Sequence, residues 1–151
     1  MKINKLLVCV LTGFMILSLI NCNRSTVKNT EEFRLTETGI TYEIPLGGIA
    51  VVELEENAST GYSWQYFIEN EDMLSFDSDK TILDNTNPAL VGAPIKHEWK
   101  FKALEKGTTS IKFAYLRSWE IEDTENLDRK SLWDMKSEAA IDNIEYIIDV
   151  K

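Results

Sequence analysis

From Thr38 onward, apolar and polar residues alternate with a period of two through most of the chain. That spacing turns one side of a β-strand toward a core and the other toward water. The alternation is clearest late in the sequence. His97, Trp99, Phe101 and Ala103 fall on one face, with Glu98, Lys100 and Lys102 on the other. Ile111, Phe113 and Tyr115 alternate with Ser110, Lys112 and Ala114, and Ile144, Tyr146, Ile148 and Val150 alternate with Glu145, Ile147 and Asp149. The pattern predicts strands over residues 38–44, 49–55, 63–68, 74–82 (with a break near Ser78), 96–103, 108–115 and 144–150. Pro45-Leu46-Gly47-Gly48 separates the first two, and Glu105-Lys106-Gly107 reads as a hairpin with glycine at its positive-φ place. Residues 120–143 are acidic and lack alternation. Within them, residues 131–140 are able to form a short helix, with Ser131 as N-cap and Asp134 three residues on.

About seven short strands separated by turns predict an all-β fold, an immunoglobulin-like antiparallel β-sandwich with an insert before the last strand. Residues 33–151 are enough for one such domain. The N-terminus follows a different logic. Lys2 and Lys5 precede an uncharged apolar run over residues 6–20. This is short for a membrane span of about 20 residues but suits a secretory leader. The run closes on Leu19-Ile20-Asn21-Cys22, which resembles the lipobox of bacterial lipoproteins, although Asn21 stands where a small residue is usual. That resemblance implies a lipoprotein signal peptide over 1–21, lipidation at Cys22, a polar tether over 22–32 and a lipid-anchored place in a bacterial cell envelope. An ordinary signal peptide or an uncleaved anchor are the alternatives. Cys9 lies within the leader and Cys22 at its end, so the mature domain is expected to hold no thiol, disulfide or thiolate metal site.

Charge and chemistry narrow the function. The full chain carries a net charge of −9; with Lys2 and Lys5 removed, 14 Lys and Arg face 25 Asp and Glu, a balance of −11. Such a surface opposes nucleic-acid binding; it steers basic partners or simply confers solubility. His97 is the only histidine, without a second for a zincin pair, and its face predicts a core or rim position. No phosphate loop or dinucleotide fingerprint is present, and Asp77-Ser78-Asp79 lacks the frame of a Ca²⁺ loop. The expectation is a non-enzyme without metal or cofactor.

The chemistry-bearing feature is Asn57-Ala58-Ser59-Thr60-Gly61-Tyr62, followed by Trp64 and lying between two predicted strands. Taken alone it reads as a β-turn. Two further segments, Gly92-Ala93-Pro94 and Arg117-Ser118-Trp119, are spaced as if on loops at the same end of a sandwich. Together the three resemble the signature loops of the chagasin-like inhibitors of papain-type cysteine proteases, which carry Asn-Pro-Thr-Thr-Gly-Tyr, glycine-rich and Arg-Pro-Trp loops. Ala58 and Ser59 stand for Pro and Thr, Pro94-Ile95 for paired glycines, and Ser118 for Pro.

The resemblance implies a reversible, non-covalent inhibitor, expected as a monomer. Asn57 to Tyr62 enter the cleft of a papain-type protease, and Gly92, Ala93, Pro94, Arg117, Ser118 and Trp119 flank it. Small side chains let the backbone approach a narrow groove, Asn57 holds the turn, and Tyr62 and Trp64 anchor its base. The other reading is an envelope binding module that keeps the sandwich for a protein or carbohydrate partner but does not inhibit. Trp119 is a target contact in the first reading and a cap over the sandwich end in the second. Trp133 and Met135 either pack the insert onto the domain or add a contact of their own.

Overall fold

The computed structural model describes residues 30–82, 94–121 and 127–151. These form eight strands: β1 (Glu32–Leu35), β2 (Thr41–Ile44), β3 (Ile49–Glu56), β4 (Ser63–Ile68), β5 (Leu74–Ile82), β6 (Ile95–Ala103), β7 (Gly107–Leu116) and β8 (Asp142–Val150). One helix, α1 (Arg129–Ala139), precedes β8. Two four-stranded sheets, ordered β1-β3-β6-β5 and β2-β8-β7-β4, stack face to face. The predicted sandwich is therefore present, and every predicted strand is found with small shifts at its ends. The expected break near Ser78 is a bulge between Phe76 and Ser78, and Gly107 takes the positive φ expected of the hairpin.

Two features depart from the expectation. β1 is an eighth strand, and both β1–β3 and β2–β8 pair in parallel, so the sandwich is not purely antiparallel. The alternation of Glu32-Phe33-Arg34-Leu35 is genuine, with Leu35 buried, but four residues are too few to stand out as a pattern. The helix also starts earlier than predicted. Its N-cap is Asp128, whose Oδ1 accepts from Lys130 N at 2.9 Å and Ser131 N at 3.0 Å, while Ser131 lies inside the first turn. The Ser131 hydroxyl and N–H hold the Asp128 carboxyl below its ordinary range.

The inward faces are those of the alternation. Trp99, Phe101 and Ala103 of β6, Ile111 and Phe113 of β7, and Tyr146, Ile148 and Val150 of β8 share one core with Trp64, Val52, Ile44 and Leu35. Each large side chain buried there contributes about 1.5–3 kcal/mol. The outer face of the second sheet carries a smaller cluster of Phe67, Ala114, Leu116 and Trp133, the last from α1. Trp133 is 6% exposed and stacks on Phe67 with centroids 5.3 Å apart, so α1 packs back on the domain through this residue.

On the outer face of the first sheet, Glu98 is buried although it points away from the core, and Glu53 stands directly opposite it on β3. Like charges so placed repel. Arg34 bridges the two carboxylates at 3.5 and 3.4 Å, and Lys80 Nζ lies 3.0 Å from the other Glu98 oxygen. Burial pushes the Glu98 carboxyl up. The close ion pair with Lys80 and the charges of Lys100 and Arg34 outweigh it and hold the group below the ordinary carboxylate range. A depressed folded-state pKa means a contribution complete above the unfolded value of about 4.3 and lost as pH falls through the folded one. Glu98→Gln keeps the volume and removes the charge. Because Arg34 and Lys80 are more than half exposed, the expected loss at pH 7 is about 1–2 kcal/mol. Urea unfolding should show the gap between variant and parent closing as pH falls below 4 (roughly the unfolded carboxylate range). An equal gap at both pH values would contradict the assignment.

Candidate functional site

β3 ends at Glu56 and β4 begins at Ser63, so residues 57–62 cross from one sheet to the other at one end of the sandwich. Ala58–Thr60 form a single 3-10 turn. Asn57 organises it, as its residue type predicts. Its Oδ1 accepts from Ser59 N at 3.1 Å and Ser59 Oγ at 2.6 Å, and its carbonyl accepts from Thr60 N at 3.1 Å and Thr60 Oγ1 at 2.7 Å. Asn57 N donates in turn to the Tyr115 hydroxyl at 3.0 Å, which ties the turn to β7.

The base of the loop is a column of rings. Tyr62 lies 5.5 Å from Tyr115, Tyr115 lies 4.8 Å from Trp64, and Trp64 meets Phe113 of the core edge-on at 6.5 Å. Trp64 Nε1 donates to Glu55 O at 2.9 Å. Tyr62 and Trp64 thus anchor the loop as the sequence predicts, with Tyr115 inserted between them.

The segment after β7 comes to the same end, because Leu116 pairs with Ser63. Arg117 Nε donates to Thr60 O at 3.0 Å, its guanidinium lies 4.5 Å from the Tyr62 ring centroid, and its Nη1 donates to Glu120 Oε1 at 3.0 Å. The hydrogen bond to Glu120 keeps the Arg117 pKa above its ordinary value. Ser118–Glu120 form a second 3-10 turn that turns Trp119 over Gly61. Gly61 has φ +77°, and a Cβ there would fall within 2.7 Å of Trp119 Cζ2. One edge of the indole therefore rests on the glycine while 65% of the residue faces solvent. Trp119 thus covers Gly61 of the loop and remains exposed.

Of the third segment, Gly92 and Ala93 lie outside the described residues. Pro94 is exposed and leads into Ile95, which pairs with Glu56, so it emerges beside Asn57 on the neighbouring strand. The structure thus brings together Asn57, Ser59, Thr60, Gly61, Tyr62, Pro94, Arg117, Ser118 and Trp119 at one end; Ala58 opens the first turn. Cys22 lies outside the described residues.

Sequence reasoning missed three contributors: Tyr115, Glu120 and Glu56, whose carboxylate takes Trp64 N at 3.4 Å. Tyr115 ends an alternating strand with a polar-tipped aromatic, which is the one local sign of its role. His97 is a rim histidine, stacked on Trp99 at 4.2 Å with ring nitrogens 3.3 Å from Glu56 Oε1 and 2.7 Å from Asp79 Oδ2.

A two-sheet scaffold with interlocked small-residue and aromatic loops at one end defines the class of protein. Residues 43–130 match the Chagasin family peptidase inhibitor I42, and the chain belongs to that family. It is similar to Amoebiasin-2 of Entamoeba histolytica, with 36% identity over 85 residues that make up 56% of this chain and 68% of that protein. Its fold is shared by three solved structures. The cysteine protease inhibitor EhICP2 from Entamoeba histolytica aligns with a TM-score of 0.61 and 24% identity over 81% of this chain and 96% of its own. Amebosin aligns at 0.53 and 21% over 81% and 98%. PbICP-C, solved in complex with falcipain-2, aligns at 0.53 and 18% over 80% and 99%.

Proposed function

We propose that this protein is a reversible, non-covalent inhibitor of papain-type cysteine proteases that plugs the active-site cleft with the Asn57–Tyr62 loop. Arg117, Ser118 and Trp119 grip one flank of the cleft, and Gly92, Ala93 and Pro94 the other. The observation that carries this reading is the joint between two of the loops: Arg117 holds Thr60 O while Trp119 rests on Gly61. A narrow turn fixed in advance from both sides loses little freedom on docking, and that favours tight binding. Ser59 and Thr60 are exposed, small and already hydrogen-bonded within the turn, so they can enter a groove without first being reorganised. Family membership points the same way, as do the likenesses to the cysteine protease inhibitor EhICP2 and to PbICP-C in complex with falcipain-2.

Titration of papain with the purified protein and a fluorogenic peptide tests this. Saturable inhibition is expected. Trp119→Ala should weaken it about thirtyfold, the loss typical of a buried aromatic hot spot at roughly 2 kcal/mol. Thr60→Arg should weaken it at least as much by blocking entry. A folded protein that leaves papain untouched at micromolar concentration would leave only the non-inhibitory binding module.

A lipid anchor at Cys22 belongs to the same proposal. β1 runs parallel to β3 with Glu32 opposite Ile49, so the chain enters the domain at the end away from residue 57. Eight residues of β3 separate the two ends by about 25 Å. A lipid on Cys22 would attach the domain at the end opposite the loops. Metabolic labelling with an alkyne fatty acid should mark the exported protein and fail for Cys22→Ala; labelling that survives that substitution excludes lipidation at this residue.

A further inference from the structure

A fourth element reaches the loop-bearing end. Ile141, between α1 and β8, donates its N–H to Tyr115 O at 2.9 Å, two residues before Arg117. It is 64% exposed, as bare as Trp119 and more so than any other large apolar residue among those described. Two residues before it, Ala139 lines an open groove of about 410 Å³ between α1 and the Ser118–Glu120 turn, completed by Glu120, Ile121, Met135 and Glu138. Its floor is firm, since Ile121 and Ala140 pack against the cluster that buries Trp133.

We propose that Ile141 and this groove form a further contact for the inhibited protease, taking an apolar side chain with a basic neighbour from the rim beside the cleft. The inference rests on the inhibitor reading above and extends its footprint to the insert. Continuity identifies the occupant. Glu120 shares a 3-10 turn with Trp119 and lines the groove, so the groove is continuous with the turn that presents the indole. The groove matches the side chain asked of it: Ile121, Met135 and Ala139 supply apolar wall, and the carboxylates of Glu120 and Glu138 stand at its margin. Glu120 is already engaged by Arg117, which leaves Glu138 as the group that meets a cation. An anchored helix face presents these atoms without an ordering cost on docking, in contrast to a free loop. The volume accommodates a side chain or two and lies at the low end of the range for ligand clefts.

Inhibition constants for papain, measured with the full-length protein and its Ile141→Ser, Glu138→Lys and Trp119→Ala variants, test this, with melting curves to confirm folding. Ile141→Ser should weaken inhibition five- to tenfold, mainly through faster dissociation. Glu138→Lys, a surface change that leaves the core intact, should weaken it three- to tenfold at low salt and less at 0.5 M NaCl. If Trp119→Ala weakens inhibition while both insert variants match the parent, the fourth contact is overturned and the loop reading stands. If the parent protein does not inhibit papain, both fall.

Discussion

Gly61→Val should raise the inhibition constant for papain about a hundredfold while lowering thermal stability only modestly. Two separate costs meet at this position. With φ at +77°, any residue with a Cβ carries a penalty of about 1–2 kcal/mol, and a β-branched one the most. The new atoms also occupy the space of the Trp119 ring edge, with Cζ2 at 2.7 Å from the Cβ position alone. The strand ends on either side are held by the ladders of β3 and β4, so the exposed turn and the indole are what must give way. Inhibition then loses the shape of the entering loop and the placement of its aromatic neighbour together. At 1.4 kcal/mol per tenfold, about 3 kcal/mol gives the hundredfold change. Gly61→Val combined with Trp119→Ala relieves the overlap and should regain part of the melting temperature without regaining inhibition. A Gly61→Val protein that inhibits like its parent would mean that this loop does not enter the cleft as described.

Trp133→Ala is expected to cost the most stability, about 3–5 kcal/mol. The indole is buried against Phe67, Ala114 and Leu116 on the outer face of the second sheet and is the only buried residue of α1. A helix of 11 residues is marginal without a packing partner. Once the indole is gone, α1 keeps only polar and surface contacts: the Asp128 cap and the Arg129 contacts with Phe67, Ile68 O and Glu71 at its first turn, and the Ser137–Asn143 hydrogen bonds at its last. Ile121 loses its seat as well, and with it the support on the far side of the Trp119 turn. Thermal denaturation followed by circular dichroism should show a melting temperature lower by on the order of 10 °C, and inhibition at 25 °C should weaken several-fold. A shift of less than about 3 °C would show that the helix rests on the sheet without stabilising it.

These two residues differ in how far their roles could be read in advance. Gly61 was identifiable as a conformational pivot, since a glycine closing a run of small polar residues before Tyr62 and Trp64 is a local signal. That its missing Cβ also makes room for Trp119, 58 positions later, is not local at all. Trp133 was open to two readings because an aromatic in a stretch without alternation has no face assigned to it. The sheet beneath it had to exist first. The same division runs through the fold. Long alternating runs such as His97–Ala103 and Ile144–Val150 announced their inward faces, while four-residue β1 was too short to register and its parallel pairing with β3 left no trace in its own residues. At the helix start both Asp128 and Ser131 are competent caps. In the fold Asp128 takes the cap, accepting from Lys130 N, Ser131 N and the Ser131 hydroxyl, and Ser131 falls inside the first turn.

By itself, then, the chain determined which side of each strand faces the core, where the turns fall and which loops carry small, rigid or aromatic residues. Each of these follows from chemistry within a few neighbouring positions. The tertiary structure alone decided that the Trp119 ring edge lies on Gly61, that Ile141 comes to the same end beside Tyr115, and that Tyr115 and Arg117 fasten the Asn57–Tyr62 turn. Those contacts depend on strand order across two sheets, and no residue's nearest neighbours in sequence encode which distant strand it will lie beside.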